Sequence, residues 1–481
     1  MKGLNDMTAI HVTNPRHVRV VEVEASFSVE RSGGAFGVGA STIGDLTLAH
    51  VRATVEGRDG RRADGWGAIL LSWPWAFPGD TPDGEARDAL MRALVTAYGE
   101  ALVKRGEPGH PLDHYLALEP ELGRIAGGVA SRMGIDVPVP PLCALVSLSP
   151  VDAAIHDAYG NLHGVSSYDV LGADHLDWDL SRVLGASFTG RYPADFLRSG
   201  PVERVPIAHT VGALDPLTSG EGDTGRIPPL TDWIARDAPC AFKVKLKGQD
   251  LDWDVWRLVA VHGLASRERG RGDDIVLYGD LNEQGPSKAY IVELLDRLER
   301  DHPAVCDALD MLEQPVRRDL TDASPDLADV SARVPIVLDE GLTSLASVDR
   351  AMALGWGGVA LKTCKTQSLM LLTLPKAVEA GLHVTVQDLT NPGIALVQSV
   401  GLAARLPVTR PFETNAGQYF PNTSLPEAVV LPGVFHPVGG EVSTAEIGGT
   451  GFGYRVGEID RALFQAAGLR EGGAPQPPTE R

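Results

Sequence analysis

Hydrophobic and polar positions divide this chain into two regimes. In VRVVEVEASFSV and LTLAHVRATV, between Val18 and Val55, apolar and polar residues alternate with period two, which predicts two strands joined through the glycine-rich SGGAFGVGASTIGD as a mobile loop. From Asp83 to Ala126 the spacing changes to helical in EARDALMRALVTAYGEALVKRG, and it is helical again from Leu148 to Leu162. The first third therefore reads as α+β. After Val205 short apolar runs alternate with amphipathic helices: AFKVKLKG, WDVWRLVAVHGLASR, DIVLYGDL, AYIVELLDRLER, ALDMLEQP, VPIVLDEG, SVDRAMALG, GVALKTCK, LLTLPKAVEAG and LHVTVQDL. So many consecutive βα units predict a closed parallel barrel with covering helices.

In such a barrel the chemistry lies at the C-terminal ends of the strands. Successive runs end in charges here: Lys243 and Lys245, then Asp280, then Glu313, then Asp339 with Glu340, then Lys362. Taken singly, each could be an exposed strand-end charge. Jointly, three carboxylates from neighbouring strands would repel in a low-dielectric mouth unless a cation held them, and an oxygen-only set suits a hard ion such as Mg2+. Lys243 and Lys245 are two apart and share one face of their strand; Lys247 has the same parity but lies beyond the apolar run and is expected to be exposed. Lys362, beside other cations and a metal, is expected to have its ammonium disfavoured, so that it could act as a base; a salt bridge to one of the carboxylates is the structural alternative.

Composition narrows the function. With 481 residues and 43% hydrophobic content the chain can bury a large interior, as two domains or one barrel with an appendage. A net charge of −20 lacks the cationic excess that a nucleic-acid or anionic-membrane surface requires, which leaves a small molecule as the expected partner. No apolar run reaches the ~18 residues of a membrane span. The start lacks a secretory stretch, so a cytoplasmic location is expected, with Met7 a possible initiator. Cys143, Cys240, Cys306 and Cys364 are scattered and read as free thiols. No GxxxxGK[ST] occurs, and the glycine-rich stretches do not complete GxGxxG after a strand.

The ordered set Lys243-Val-Lys245, Asp280-Leu-Asn282, Glu313-Gln-Pro, Asp339-Glu340 and Lys362-Thr-Cys-Lys365 resembles the enolase superfamily, in particular its muconate-lactonizing-enzyme-like subgroup with a KxK strand. SPVDAAIHDAYGNLHGVSSYDVLG and GTGFGYRVGEID resemble the helix closing the family's capping domain and the segment near its C-terminus. The resemblance implies a modified TIM barrel, (β/α)7β, over residues 201–440, an N-terminal α+β capping domain over 1–200 completed by 441–470, and a disordered tail at 471–481. It also implies Mg2+ on Asp280, Glu313 and Asp339, a small carboxylate substrate, and a homo-oligomer. Lys245 would be the base on one face, tuned by Lys243, with Lys362 acting from the other. Asn282, Glu340, Asp388 and Glu413 are candidate substrate contacts, with Asn391 beside them.

The chain departs from the family at Thr366-Gln367-Ser368, where Gly-Gly is expected, and at Phe412-Glu413-Thr414-Asn415, where dipeptide epimerases carry Asp-x-Asp. Unlike the mandelate-racemase arrangement, the sixth strand carries lysine, and His383 begins the seventh run, at the end away from the site. The capping loops Arg31 to Ser41 and Leu71 to Thr81, with Arg31, Trp73, Trp75 and Phe77, are expected to choose the ligand. The implied chemistry is Mg-dependent removal of the proton α to a carboxylate, with dehydration of a hydroxy or sugar acid as the expected outcome. Racemisation, epimerisation or cycloisomerisation are alternatives within the family. A non-catalytic metal-dependent binding protein and a lyase forming a Schiff base on Lys362 are alternatives outside it.

Overall fold

The computed structural model describes residues 14–34, 36–38, 41–220, 227–269 and 274–463. The tail at 471–481, the region of Met7 and part of the loop at 31–41 lie outside the described residues. The N-terminal part is a three-stranded antiparallel sheet of Val18–Glu30, Leu46–Gly57 and Arg62–Leu70, in that spatial order. The third strand was not legible in the pattern because Gly65 and Gly67 interrupt its alternation. Their role is close approach: a Cβ at Gly65 would stand 2.0 Å from the amide nitrogen of Ala158, and one at Gly67 2.1 Å from the carbonyl oxygen of Pro150. The long helix Pro141–His163 therefore lies flat on the sheet, and it begins earlier than its helical spacing suggested. The expected helical stretch from Asp83 splits into Gly84–Arg105, Pro111–Leu118 and Leu122–Arg132. The first of these is capped by the Asp83 carboxylate and ended by left-handed Gly106.

Eight parallel strands form the second part: Arg204–Val211, Ala241–Lys245, Val276–Asp280, Leu309–Glu313, Ile336–Leu338, Gly358–Leu361, His383–Val386 and Phe412–Thr414. Each of the first seven is followed by a helix before the next strand, giving (β/α)7β. The eighth strand pairs with the first, and a parallel bridge between Gln387 and Glu413 joins the seventh to the eighth, which closes the ring. Ala208, Ala241, Tyr278, Met311, Val337 and Ala360 point inward as an apolar floor. Period two then dictates that residues two positions further along also face inward, at the mouth.

The capping part and the barrel share polar contacts. Ser368, in the segment that departs from Gly-Gly, donates from its backbone and its hydroxyl to Asp152 of the long helix at 2.9 and 2.6 Å, and its hydroxyl lies 2.9 Å from His156 Nε2. The chain then returns from the barrel to the cap: Gly451 exchanges backbone hydrogen bonds with Val165 and Ser167, and Phe452 N donates to Asp157 at 2.7 Å. Among the described residues no helix is long and apolar enough to cross a membrane.

Candidate active site

One step above the floor stand Thr210, Lys243, Asp280, Glu313, Asp339, Lys362, Gln387 and Glu413, with Lys245 one step further out on its strand. In register, Lys245 lies opposite Asp280, and Asp280 opposite Glu313. The structure thus brings the three lysines and three acids of the strand-end pattern into one buried cluster. Lys243 is central and fully buried: its Nζ lies 2.8 Å from Glu313, 2.8 Å from Glu413, 2.9 Å from the Gln387 amide oxygen and 3.2 Å from Asp280. Lys245 donates to Asp280 at 2.6 Å. On the other flank Lys362 donates to Asp339 at 2.7 Å and lies 3.6 Å from Glu313. Lys365 reaches the second oxygen of Asp339 at 2.8 Å.

These contacts decide the charge states. Burial works against the Lys243 ammonium, but Glu313, Glu413 and Asp280 outweigh it and hold its pKa well above the ordinary lysine range. Burial works against Lys362 in the same way, and Asp339 overcomes it, so that its pKa is raised. This corrects the expectation that its ammonium is disfavoured: the carboxylate 2.7 Å away counts for more than the neighbouring cations. Asp339 and Asp280 lie below the usual carboxylate range, because Lys362 and Lys365, and Lys245 and Lys243, outweigh burial. Glu313 goes the other way, pushed to about 8 by burial. Burial also lifts Glu340 to about 7, with Asp339 and Asp280 adding to it, and lifts Asp388 to about 7, with Glu413 adding to it.

Asn282 donates to Glu340 at 3.0 Å and, from backbone and side chain, to Asp280. Glu340 also accepts from the Trp75 indole at 3.0 Å. Glu413 accepts from Thr210 at 2.9 Å as well as from Lys243. Asp388 sits after the seventh strand, accepting from the backbone of Thr390 and Asn415. Asn391 is buried and bonded to Ser399 at 3.1 Å, away from the lysines' own contacts. Lys247 is exposed, over the Trp253 ring, and His383 lies at the far end of its strand, 3.2 Å from Asp310. Sequence reasoning missed Gln387, which clamps Lys243 and donates to Glu313 at 2.6 Å, and Gln314, whose amide oxygen receives the backbone of Asp339 and Gly341. Gln387 was open to the same parity and strand-end test that found the charged residues, but it carries no charge; Gln314, one residue past the inward Glu313, is out of phase with that test. Asn282, Gln314, Thr366 and Thr390, all just beyond strand ends, have positive φ, concentrating backbone strain at this mouth.

Whether these groups fit a divalent cation is a matter of donor chemistry. Six buried carboxyl groups, Asp280, Glu313, Asp339, Glu340, Asp388 and Glu413, face four ammonium groups, and three of the acids are pushed toward neutrality by burial, with neighbouring carboxylates adding to it. Glu340 Oε2 is buried without a hydrogen bond. Among the described residues no group of acids stands in the geometry of a loaded metal site, and Asp280, Glu313 and Asp339 are each engaged by a lysine. The all-oxygen, anion-rich set fits a hard dication once those contacts are exchanged.

Residues 231–459 match the family described as Enolase C-terminal domain-like. That match spans most of the barrel and is similarity to an enolase C-terminal domain. The likeness in fold extends beyond the matched residues. A mandelate racemase/muconate lactonizing enzyme from Bordetella bronchiseptica RB50 is 20% identical, with 94% of this chain and 99% of that one covered at a TM-score of 0.58. An N-succinyl Arg/Lys racemase from Bacillus cereus ATCC 14579 is 17% identical, with 93% and 97% covered at 0.58. A dipeptide epimerase from Enterococcus faecalis V583, complexed with Mg and the dipeptide L-Leu-L-Tyr, is 16% identical, with 90% and 99% covered at 0.58. No curated protein sequence matches the chain.

Proposed function

We propose that the protein is an enzyme that removes the proton α to the carboxylate of a small substrate, with Mg2+ held by Asp280, Glu313 and Asp339. The observation that carries this reading is the arrangement of Lys245 and Lys362 on opposite flanks of one buried trio of carboxylates, each anchored to a different acid. Bound there, Mg2+ would supply the positive charge that makes a weakly acidic α-proton removable. Lys245 takes the proton at Nζ. It can do so only as the neutral amine, and its partner in the ammonium form is Asp280. Lys362, whose ammonium is strongly favoured, contributes fixed positive charge on the opposite face. Lys243 anchors Glu313 and Glu413 from below.

Dehydration of a hydroxy or sugar acid is the outcome we favour. Its support is one accessible base facing a lysine held as ammonium, together with Asp388, a buried carboxyl lifted to about 7 and therefore able to deliver a proton to a leaving hydroxyl. A racemase or epimerase is the second reading, supported by the presence of a lysine on each flank. The test is incubation with Mg2+ in deuterated water against acid sugars, N-acylamino acids and dipeptides. Deuterium should enter the α-position, or an unsaturated product should form, and Lys245→Ala should abolish both. A Lys245→Ala protein that exchanges as fast as the parent sinks the assignment.

A further inference from the structure

The two flanks of the site are not equally covered. The side chain of Lys245 is 11% exposed and that of Lys362 4%. The difference has a visible cause. Trp75, in the short helix Trp73–Ala76 of the capping part, lays its indole over the sixth-strand side: Lys362 Nζ lies 5.3 Å from the ring centroid and Lys365 Nζ 5.7 Å. Both are within the reach of a cation–π contact. The ring is fixed in plane and position. Its Nε1 donates to Glu340 at 3.0 Å, and the backbone carbonyl of Trp75 accepts from Arg318 at 3.1 Å, while Arg318 is ion-paired to Glu283 at 2.6 Å on the barrel side. On the cap side Arg87 stacks 5.1 Å over Trp73 and donates to the carbonyls of Phe77 and Pro82. An arginine from each part thus clamps this helix. Among the described residues nothing comparable covers Lys245.

We propose that Trp75 is a positioning residue that makes the site one-sided: its indole holds the Lys362 ammonium against Asp339 and shuts that face, leaving Lys245 as the face on which substrate protons are removed. The proposal rests on the α-proton reading for its catalytic meaning, but its structural content does not depend on turnover. A substrate group on the Lys362 face must be small and flat enough to slip beneath the indole, whereas bulk is accepted on the other.

Two measurements test it. Trace labelling of the folded full-length protein with acetic anhydride at one fixed pH, read by peptide mass spectrometry, acylates only free amines, so Lys362, paired with Asp339 and covered by the ring, should react slowly in the parent, and the contribution of the ring is read by comparing variants. Trp75→Ala should raise labelling of Lys362 by about tenfold with little change at Lys245, and Trp75→Phe, which keeps a ring over the amine, should leave it protected. Equal labelling of both lysines in the parent, or a Lys362 that stays protected in Trp75→Ala, overturns the proposal; Trp75→Leu, which removes the ring face with a smaller change of volume, takes the place of the alanine variant if that does not fold. The second readout uses both antipodes of any acid that exchanges its α-proton in deuterated water. Trp75→Ala should change the ratio of their exchange rates by about tenfold in favour of the antipode facing Lys362, whereas a merely structural role lowers both rates and leaves the ratio unchanged, which refutes the proposal. If no acid exchanges with the parent, the α-proton reading fails, and the labelling result still decides the role of Trp75.

Discussion

Replacing Lys243 with methionine tests the electrostatics of the whole mouth. Methionine keeps most of the stem volume and removes the charge. The ammonium it removes touches Glu313, Glu413 and Asp280 within 3.2 Å, with the Gln387 amide beside them. At an effective dielectric near 20, each such contact is worth roughly 5–6 kcal/mol of gross attraction, most of it offset by the cost of burying the ions. Breaking a buried pair from one side leaves a net loss of about 3–5 kcal/mol. For a cooperative unit of barrel size, with roughly 2–4 °C of midpoint per kcal/mol, the thermal transition in metal-free buffer should fall by about 6–20 °C. The loss should also depend on pH. Glu313, already raised to about 8, escapes the unpaired state by protonating, so the variant is least affected below that value and loses further stability as pH rises through it. Scanning calorimetry of parent and variant at pH 6, 7.5 and 9 checks both statements. A midpoint within about 2 °C of the parent at every pH would show that Lys243 is not the counter-charge of this cluster.

Other outcomes follow from single contacts. Adding Mg2+ to metal-free protein should raise the thermal midpoint, by the equivalent of about 2.7 kcal/mol at a hundredfold excess over its dissociation constant, and Asp280→Asn should abolish most of that rise. Gly67→Ala, whose methyl would meet the Pro150 carbonyl oxygen at 2.1 Å, should pry the sheet from the long helix and cost about 1–3 kcal/mol or more, read as a lowered unfolding midpoint. Ser368→Ala removes the hydroxyl that donates to Asp152 and also bonds His156, and should cost about 1–3 kcal/mol in the same assay. His209 is held neutral by burial, its pKa lowered to about 3, so its contribution is complete above about pH 6.5 and is lost as pH falls below it. His209→Gln should therefore flatten the fall in stability between pH 6.5 and 4.5 by about 1.4 kcal/mol per pH unit, measured by urea unfolding.

What the sequence made legible, and what it did not, has a common physical origin. A charge at the end of an apolar strand is conspicuous, because burying it requires a partner; that is why Lys243, Lys245, Asp280, Glu313, Asp339 and Lys362 stand out in the sequence. Gln387 occupies an equivalent inward position and clamps two members of the cluster, but a neutral amide is tolerated almost anywhere and sends no such signal. The third strand of the cap was hidden by the two glycines that let the long helix approach it. The charge state of Lys362 was misjudged because proximity to other lysines can be guessed from strand order, whereas the 2.7 Å contact with Asp339 is a matter of rotamer. Trp75 marks the deeper limit. Its loop could be identified as a ligand-choosing segment, but which lysine it would cover depends on how the cap sits on the barrel. That docking is fixed by contacts far apart in sequence, such as Arg318 with the Trp75 carbonyl and Ser368 with Asp152. The charges that gather at such a mouth are written along the strands, while what covers each of them is written across the seam between two parts of the fold, and only the first can be read one residue after another.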